Sequence, residues 1–152
     1  MINYDNIPHK FYCFELIPIR YQLIENNIGD VLFKFGITKN MDVYKRFDPK
    51  FNEVYNDFKF KIKFSRRFNN KQLAEQEESY WLNERFPNPG PNKVWLENYL
   101  QCENKQRYND SGITEVRLID RETANQVVKQ LWDSLTMNEK QHKLRVKNRY
   151  YA

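Results

Sequence analysis

The chain has 152 residues, a formal net charge of +5, a pI near 9.1 and 16% aromatic residues, which fits one ordinary domain able to bury a core without staples. Cys13 and Cys102 lie far apart and make neither a disulfide framework nor a C-x-x-C metal half-site, so both read as core or neutral surface positions in a reducing compartment. No stretch approaches the ~18 apolar residues of a membrane span, and the opening "MINYDNIPHKFYCFELIPIR" holds no uninterrupted apolar signal core; a soluble cytoplasmic protein is the expectation.

Alternation in "HKFYCFELI" predicts a first strand over residues 10 to 17, with Phe11, Cys13 and Glu15 on one face, Tyr12, Phe14 and Leu16 on the other, and Pro18 at its end. "YQLIENNIGDVLFKFGI" reads as a hairpin, two strand-like runs around Asn26, Asn27 and Gly29. Gly36 follows Phe33 and Phe35 where a buried strand would continue with a bulky residue, so that backbone position is required to be bare. "KNMDVYKRF" is a short helix capped by Thr38 or Asn40, with Pro49 soon after.

"DFKFKIKFS" is the clearest strand, with Phe58, Phe60, Ile62 and Phe64 facing one way and Lys59, Lys61 and Lys63 the other. Asn69 or Asn70 then caps the helix "KQLAEQEESYWLNERF", which stops at Pro87 in the turn-rich "PNPGPN". "KVWLENYL" reads as a last strand or helical turn returning to the sheet, and "QCENKQRYNDSG" as a polar surface excursion. "ITEVRLID" is a further strand candidate, after which Asp120 caps a long helix with Val127, Val128, Leu131, Trp132 and Leu135 on one side.

This order predicts an α+β fold: a small, largely antiparallel three-stranded sheet flanked by helices, residues 1–102, with a helical C-terminal extension, 103–152, completing a single globular unit. Basic residues cluster twice without an acid, in "KFKIKFSRRFNNK" and in "KQHKLRVKNRYYA". Interleaved with Phe and Tyr, these clusters suit nucleic acid, since phosphate pairing and base stacking use those two residue types together. Lys39, Lys45, Lys59, Lys61, Lys63, Arg66, Arg67, Lys143, Arg145 and Lys147 are the candidate DNA contacts. A lysine face also protects an edge strand against aggregation. His9 and His142 stand isolated and take no role.

An aromatic strand containing Tyr12, then "KFGITKN" at residues 34 to 40, then Arg46 on one helix and a carboxylate on the next, resembles the GIY-YIG endonuclease superfamily, in particular the branch abundant in phages with Lys-Ile-Gly-x-Thr-x-Asn as second motif. The resemblance covers roughly residues 10 to 100, and "KFY" stands where Gly-Ile-Tyr would. It implies a catalytic set of Tyr12, Lys34, Arg46 and Glu78: Tyr12 helps deprotonate the nucleophile, Arg46 and Lys34 hold phosphate, and Glu78 binds one Mg2+ or Mn2+. Phe14 shares Tyr12's face as the alternative register, Glu75 and Glu77 are alternatives to Glu78, and Asn88 or Asn92 fits the polar position after the helix.

Phosphodiester hydrolysis needs an attacking oxygen, neutralised phosphoryl charge and a stabilised leaving alkoxide. A metal on one carboxylate and a bidentate guanidinium supply the last two. A tyrosine, with an ordinary pKa of ~10, serves as base only beside cations such as Lys34 and Arg46. Two further readings compete. One is a catalytically inert DNA-binding protein on the same fold, for instance a regulator or an inhibitor of host functions. The other is a homodimer or protein-interaction module pairing through the helix that carries Trp132.

Overall fold

The computed structural model describes residues 6–18, 30–39, 58–87 and 115–151, with side chains of the last helix described as far as residue 145. The first run of the expected hairpin, the helix carrying Lys45 and Arg46, Asn88, Asn92, "KVWLENYL" and the polar run with Cys102 lie outside the described residues.

Three antiparallel ladders build one sheet. β1 (His9–Pro18) lies between β3 (Phe58–Phe68) and β2 (Asp30–Thr38), and β4 (Val116–Asp120) pairs with the outer edge of β2, giving the order β3-β1-β2-β4. The architecture is α+β, with four strands among the described residues instead of the expected three. The extra strand comes from the segment expected to form an extension, and the reason lies in β2. Val31, Leu32, Phe33 and Phe35 are buried on both of its faces, and an unpaired outer edge on so apolar a strand would be a liability. β4 pairs with that edge, in the register Val31↔Ile119, Leu32↔Leu118 and Phe33↔Arg117.

The ladders sort side chains onto two faces. One carries Phe11, Cys13, Val31, Phe33, Phe35, Phe64 and Ile119, which form the core with Trp81, Ala124, Val127, Leu131 and Leu135 from the helices. Burial pushes the Cys13 thiol far above its ordinary pKa, as suits an inert core cysteine. The other face carries Tyr12, Phe14, Leu16, Leu32 and Lys34, which are equally buried.

Phe64 departs from the alternation read in the sequence. Cys13 pairs with Phe64 but Phe14 pairs with Ile62, so Lys63 is an extra residue on β3 and the strand changes face there. Phe60 therefore meets Phe14 edge-on at 5.8 Å, while Phe64 turns to the core beside Phe11 at 6.3 Å. The same bulge brings Lys63 within 4.0 Å of the buried Glu15 carboxylate, which also accepts from Arg121 at 3.0 Å.

α1 (Lys71–Ser79) starts at Asn70, whose side chain accepts from the Leu73 amide at 3.0 Å, and continues into a π-helical turn, Tyr80–Arg85. Trp81 stacks on Phe35 with centroids 5.6 Å apart and planes 6° from parallel, and its Nε1 donates to Glu77 at 3.1 Å. Arg117 of β4 closes this segment. It donates to the carbonyls of Phe86 at 3.0 Å and Leu82 at 3.2 Å, which a helix end leaves without intrahelical donors. Burial lowers the Arg117 pKa, and the charge of Glu115 works against that shift.

α2 (Arg121–Asp133) is capped by Asp120, which accepts from the Thr123 amide at 3.0 Å, as its sequence position predicts. Val127, Leu131 and Leu135 are core residues, and Val128 and Trp132 pack against that core. The amphipathic stripe thus packs on the chain's own core. α3 (Met137–Tyr151) follows after Thr136, whose hydroxyl accepts from the Glu139 amide at 3.1 Å while Glu139 accepts from the Thr136 amide at 3.0 Å. This reciprocal capping box starts the helix.

Candidate functional site

The antiparallel register aligns the residues around Gly36 in cross-strand rows. Tyr12 lies between Ser65 on β3 and Gly36 on β2. Next to this row, Lys34 pairs with Phe14, on the same face as Tyr12. Tyr12, Lys34 and Gly36 are thus brought together from distant parts of the sequence. The bareness required of Gly36 has a steric cause: a Cβ there would overlap the hydroxyl and Cζ of Tyr12 and stand 3.0 Å from its Cε2. Tyr12 is 0% exposed and Lys34 2%. The Lys34 ammonium donates to Glu115 at 2.6 Å, a partner from the segment just before β4.

On the other side of the Tyr12 row, where β1 begins and β2 and β3 end, the sheet has a basic rim. Lys10 pairs with Arg67 on one side and with Thr38 on the other, and exposed Lys39 follows Thr38. α3 crosses the edge of β3 at this rim. Arg66 holds Glu139 through two hydrogen bonds, of 2.8 and 3.0 Å, and Lys143 donates to the Ser65 carbonyl with its ammonium 5.4 Å above the Phe64 ring. Between the two elements runs an open groove of about 550 Å³ lined by Lys10, Ser65, Arg66, Arg67, Asn138, Glu139, His142 and Lys143.

Of the expected DNA contacts, Arg66, Arg67 and Lys143 converge on this groove, and Lys39 lies along the same rim. Lys59 and Lys61 sit exposed toward the other end of β3, opposite Ile17 and Glu15, and Lys61 is roughly 20 Å of strand away from Arg67. Lys63 is drawn to Glu15 by the bulge. Arg145 is exposed on α3, Lys147 lies in α3 beyond the described side chains, and Lys45 and Arg46 fall outside the described residues.

Glu78 is half-buried on α1, and Trp81 in the π-helical turn that continues α1 stacks on Phe35 of the core face, opposite to Tyr12 and Lys34. Helical spacing sets Glu78 on the flank turned away from Tyr80, the residue that meets Gln130 of α2 at 3.3 Å. Of the alternatives, Glu75 pairs with Lys71 at 3.6 Å and Glu77 accepts from the Trp81 ring nitrogen. Among the described residues no three His, Cys, Asp or Glu side chains gather as a metal cluster. Mg2+ is commonly held by one or two carboxylates together with water and substrate phosphate, so the donor set that Glu78 offers fits that ion.

Lys10 and His142 were not singled out by the sequence reading. Lys10 sits at the start of an aromatic strand and outside the basic runs; only its pairing with Arg67 brings it to the groove. His142 falls within a basic run but has no motif around it, and the helical spacing from Glu139 is the signal that sets it on the groove side. Comparison of the chain with models of known families, with curated proteins and with solved structures gives no match.

Proposed function

We propose that the chain acts on DNA as a metal-dependent endonuclease of the GIY-YIG type, hydrolysing phosphodiester bonds with Mg2+ or Mn2+. The observation that carries this reading is the β1–β2 register: Tyr12 stands opposite Gly36, Lys34 follows on the same face, and the basic rim of Lys10 and Arg67 borders the row. A register with Phe14 as the first-motif residue would put it opposite Lys34 instead, away from the glycine.

In this reading the rim brings a phosphate to the Tyr12 row, Tyr12 as its phenolate takes the proton of the attacking oxygen, and Lys34 and Arg46 hold the phosphoryl oxygens. Glu78 would hold the Mg2+ or Mn2+, which when bound would supply positive charge to phosphate oxygens from the core side of the sheet, whereas Tyr12 and Lys34 lie on its other face. Lys34 exchanges its bond with Glu115 for one with phosphate, a swap between two oxyanion partners.

Supercoiled plasmid incubated with the protein in Mg2+ or Mn2+ tests the proposal. Nicking that disappears with EDTA and in Glu78→Ala supports it; intact plasmid under all conditions refutes it. A second reading, DNA binding without cleavage, draws on the full burial of Tyr12 and on the Lys34 ammonium already held by a carboxylate. It expects a salt-sensitive gel shift that survives both EDTA and Glu78→Ala.

A further inference from the structure

We propose that the groove between β3 and α3 docks the phosphate backbone of duplex DNA without regard to base sequence, so that α3 is half of a phosphate clamp. The proposal deepens the DNA-acting reading and rests on it for the choice of polyanion.

Charge is the first argument. The lining sets four cations, Lys10, Arg66, Arg67 and Lys143, against one carboxylate, Glu139. That carboxylate is consumed within the protein by Arg66 and the Thr136 amide. Lys10 and Arg67 form no ion pair among the described residues, so their charge faces the groove uncompensated. Lys143 carries the mark of this crowding: burial lowers its pKa, and the neighbouring charge of Lys10 lowers it further. An anion between the two ammonium groups relieves that repulsion.

Spacing is the second argument. Lys10 and Arg67 are cross-strand partners, and Lys39 follows Thr38, the partner of Lys10 on β2. Three neighbouring strands span roughly 10 Å, about the axial length of three nucleotides on one strand of a duplex. Cations carried at the ends of neighbouring strands of a rigid sheet suit a polyanion of regular spacing.

The third argument concerns what the groove lacks. Its aromatic neighbours are covered by cations, Phe64 by Lys143 and Phe68 by Arg66 at 5.1 Å. Among the described residues no Phe, Tyr or Trp lines the groove. Splayed single-stranded bases need stacking platforms, and base readout needs an element that enters a DNA groove. Phosphate contact alone accounts for this lining.

Fluorescence anisotropy of the full chain tests the proposal with two labelled duplexes of contrasting base composition and their single strands, over a salt series. Lys10→Gln, Arg67→Gln and Lys143→Gln are compared with Lys129→Gln, an exposed lysine paired with Asp133 on α2. The expected result is equal affinity for the two duplexes and weaker affinity for single strands. Each groove substitution lowers duplex affinity and reduces the salt slope by about 0.9, while Lys129→Gln binds like the parent. Arg67 and Lys10 anchor no other element, so their variants read the site even where Lys143→Gln loosens α3. The proposal is overturned if the groove variants bind like the parent, if Lys129→Gln weakens binding as much, or if one sequence or the single strands are preferred. Plasmid nicking by the same proteins separates this result from the endonuclease reading. Groove-dependent binding without nicking leaves the clamp standing and removes the hydrolase. Glu78-dependent nicking with unaltered binding in the groove variants does the reverse.

Discussion

Tyr12 and Gly36 face each other across the β1–β2 ladder, and the tyrosine ring fills the space that a Cβ on Gly36 would need. Because Tyr12 is buried, its ring cannot swing into solvent to make room. Gly36→Ala is therefore expected to cost about 1–3 kcal/mol by overpacking. Combined with Tyr12→Leu, which removes the hydroxyl end of the ring, the glycine substitution should cost less than it does alone. Urea denaturation of the four proteins of this cycle measures the coupling, and strictly additive costs would show that the contact is not what keeps position 36 bare.

Lys34 and Glu115 allow stability and function to be separated. Glu115→Ala removes a carboxylate partner from a buried ammonium and is expected to destabilise the fold by about 3 kcal/mol. Lys34→Met replaces the charge with a side chain of similar length and should leave stability near that of the parent while abolishing nicking. The pair of unfolding curves checks the first statement and the plasmid assay the second.

Trp132→Glu puts a carboxylate beside the core that Val127, Leu131 and Leu135 share with the sheet. The expected effect is a loss of about 2 kcal/mol in urea unfolding, with the same elution volume as the parent in size-exclusion chromatography. A parent that elutes as a dimer and a variant that elutes as a stable monomer would restore the helix to the role of a partner surface.

Glu139 gives the docking of α3 a pH dependence. Burial would raise its carboxyl pKa, but hydrogen bonds from the Thr136 amide and from Arg66, with the charge of Arg66, hold it below the ordinary 4.5. The folded state thus favours the carboxylate, and the stabilisation is complete above 4.5 and lost as pH falls through the lowered value. Compared with Glu139→Gln, the parent should be more stable at neutral pH, and the difference should shrink as acid is added below 4.5. A difference that stays constant into acid would locate the stabilisation in packing instead.

Local signals in the sequence proved reliable where one residue settles the matter. Asp120 and Asn70 cap their helices because a short oxygen-bearing side chain next to a periodic apolar run has little else to do. Gly36 announced a close approach, and the approach is there. Alternation in β3 failed at Lys63, since a bulge adds one residue without changing the hydrophobic pattern around it. The α2 stripe was legible as amphipathic, but what it faces depends on tertiary packing that periodicity does not encode. "TMNE" is a capping-box sequence that the reading passed over, and it marks both the start of α3 and the glutamate that Arg66 holds. The groove was half legible: the basic runs flagged Arg66, Arg67 and Lys143, whereas Lys10 joins them only through strand pairing.

The pairing of β2 with β4 has a consequence for synthesis. The two strands are separated in the chain by residues 39–115, so the outer edge of β2 lacks this partner until β4 has been made. At ~5–20 residues per second that interval lasts roughly 4–16 s. During it, Val31, Leu32 and Phe33 present an open, apolar strand edge to whatever is nearby. A ribosome stalled before β4 would leave a nascent chain that is a target for chaperones and prone to aggregate, although nothing in the finished molecule betrays that liability.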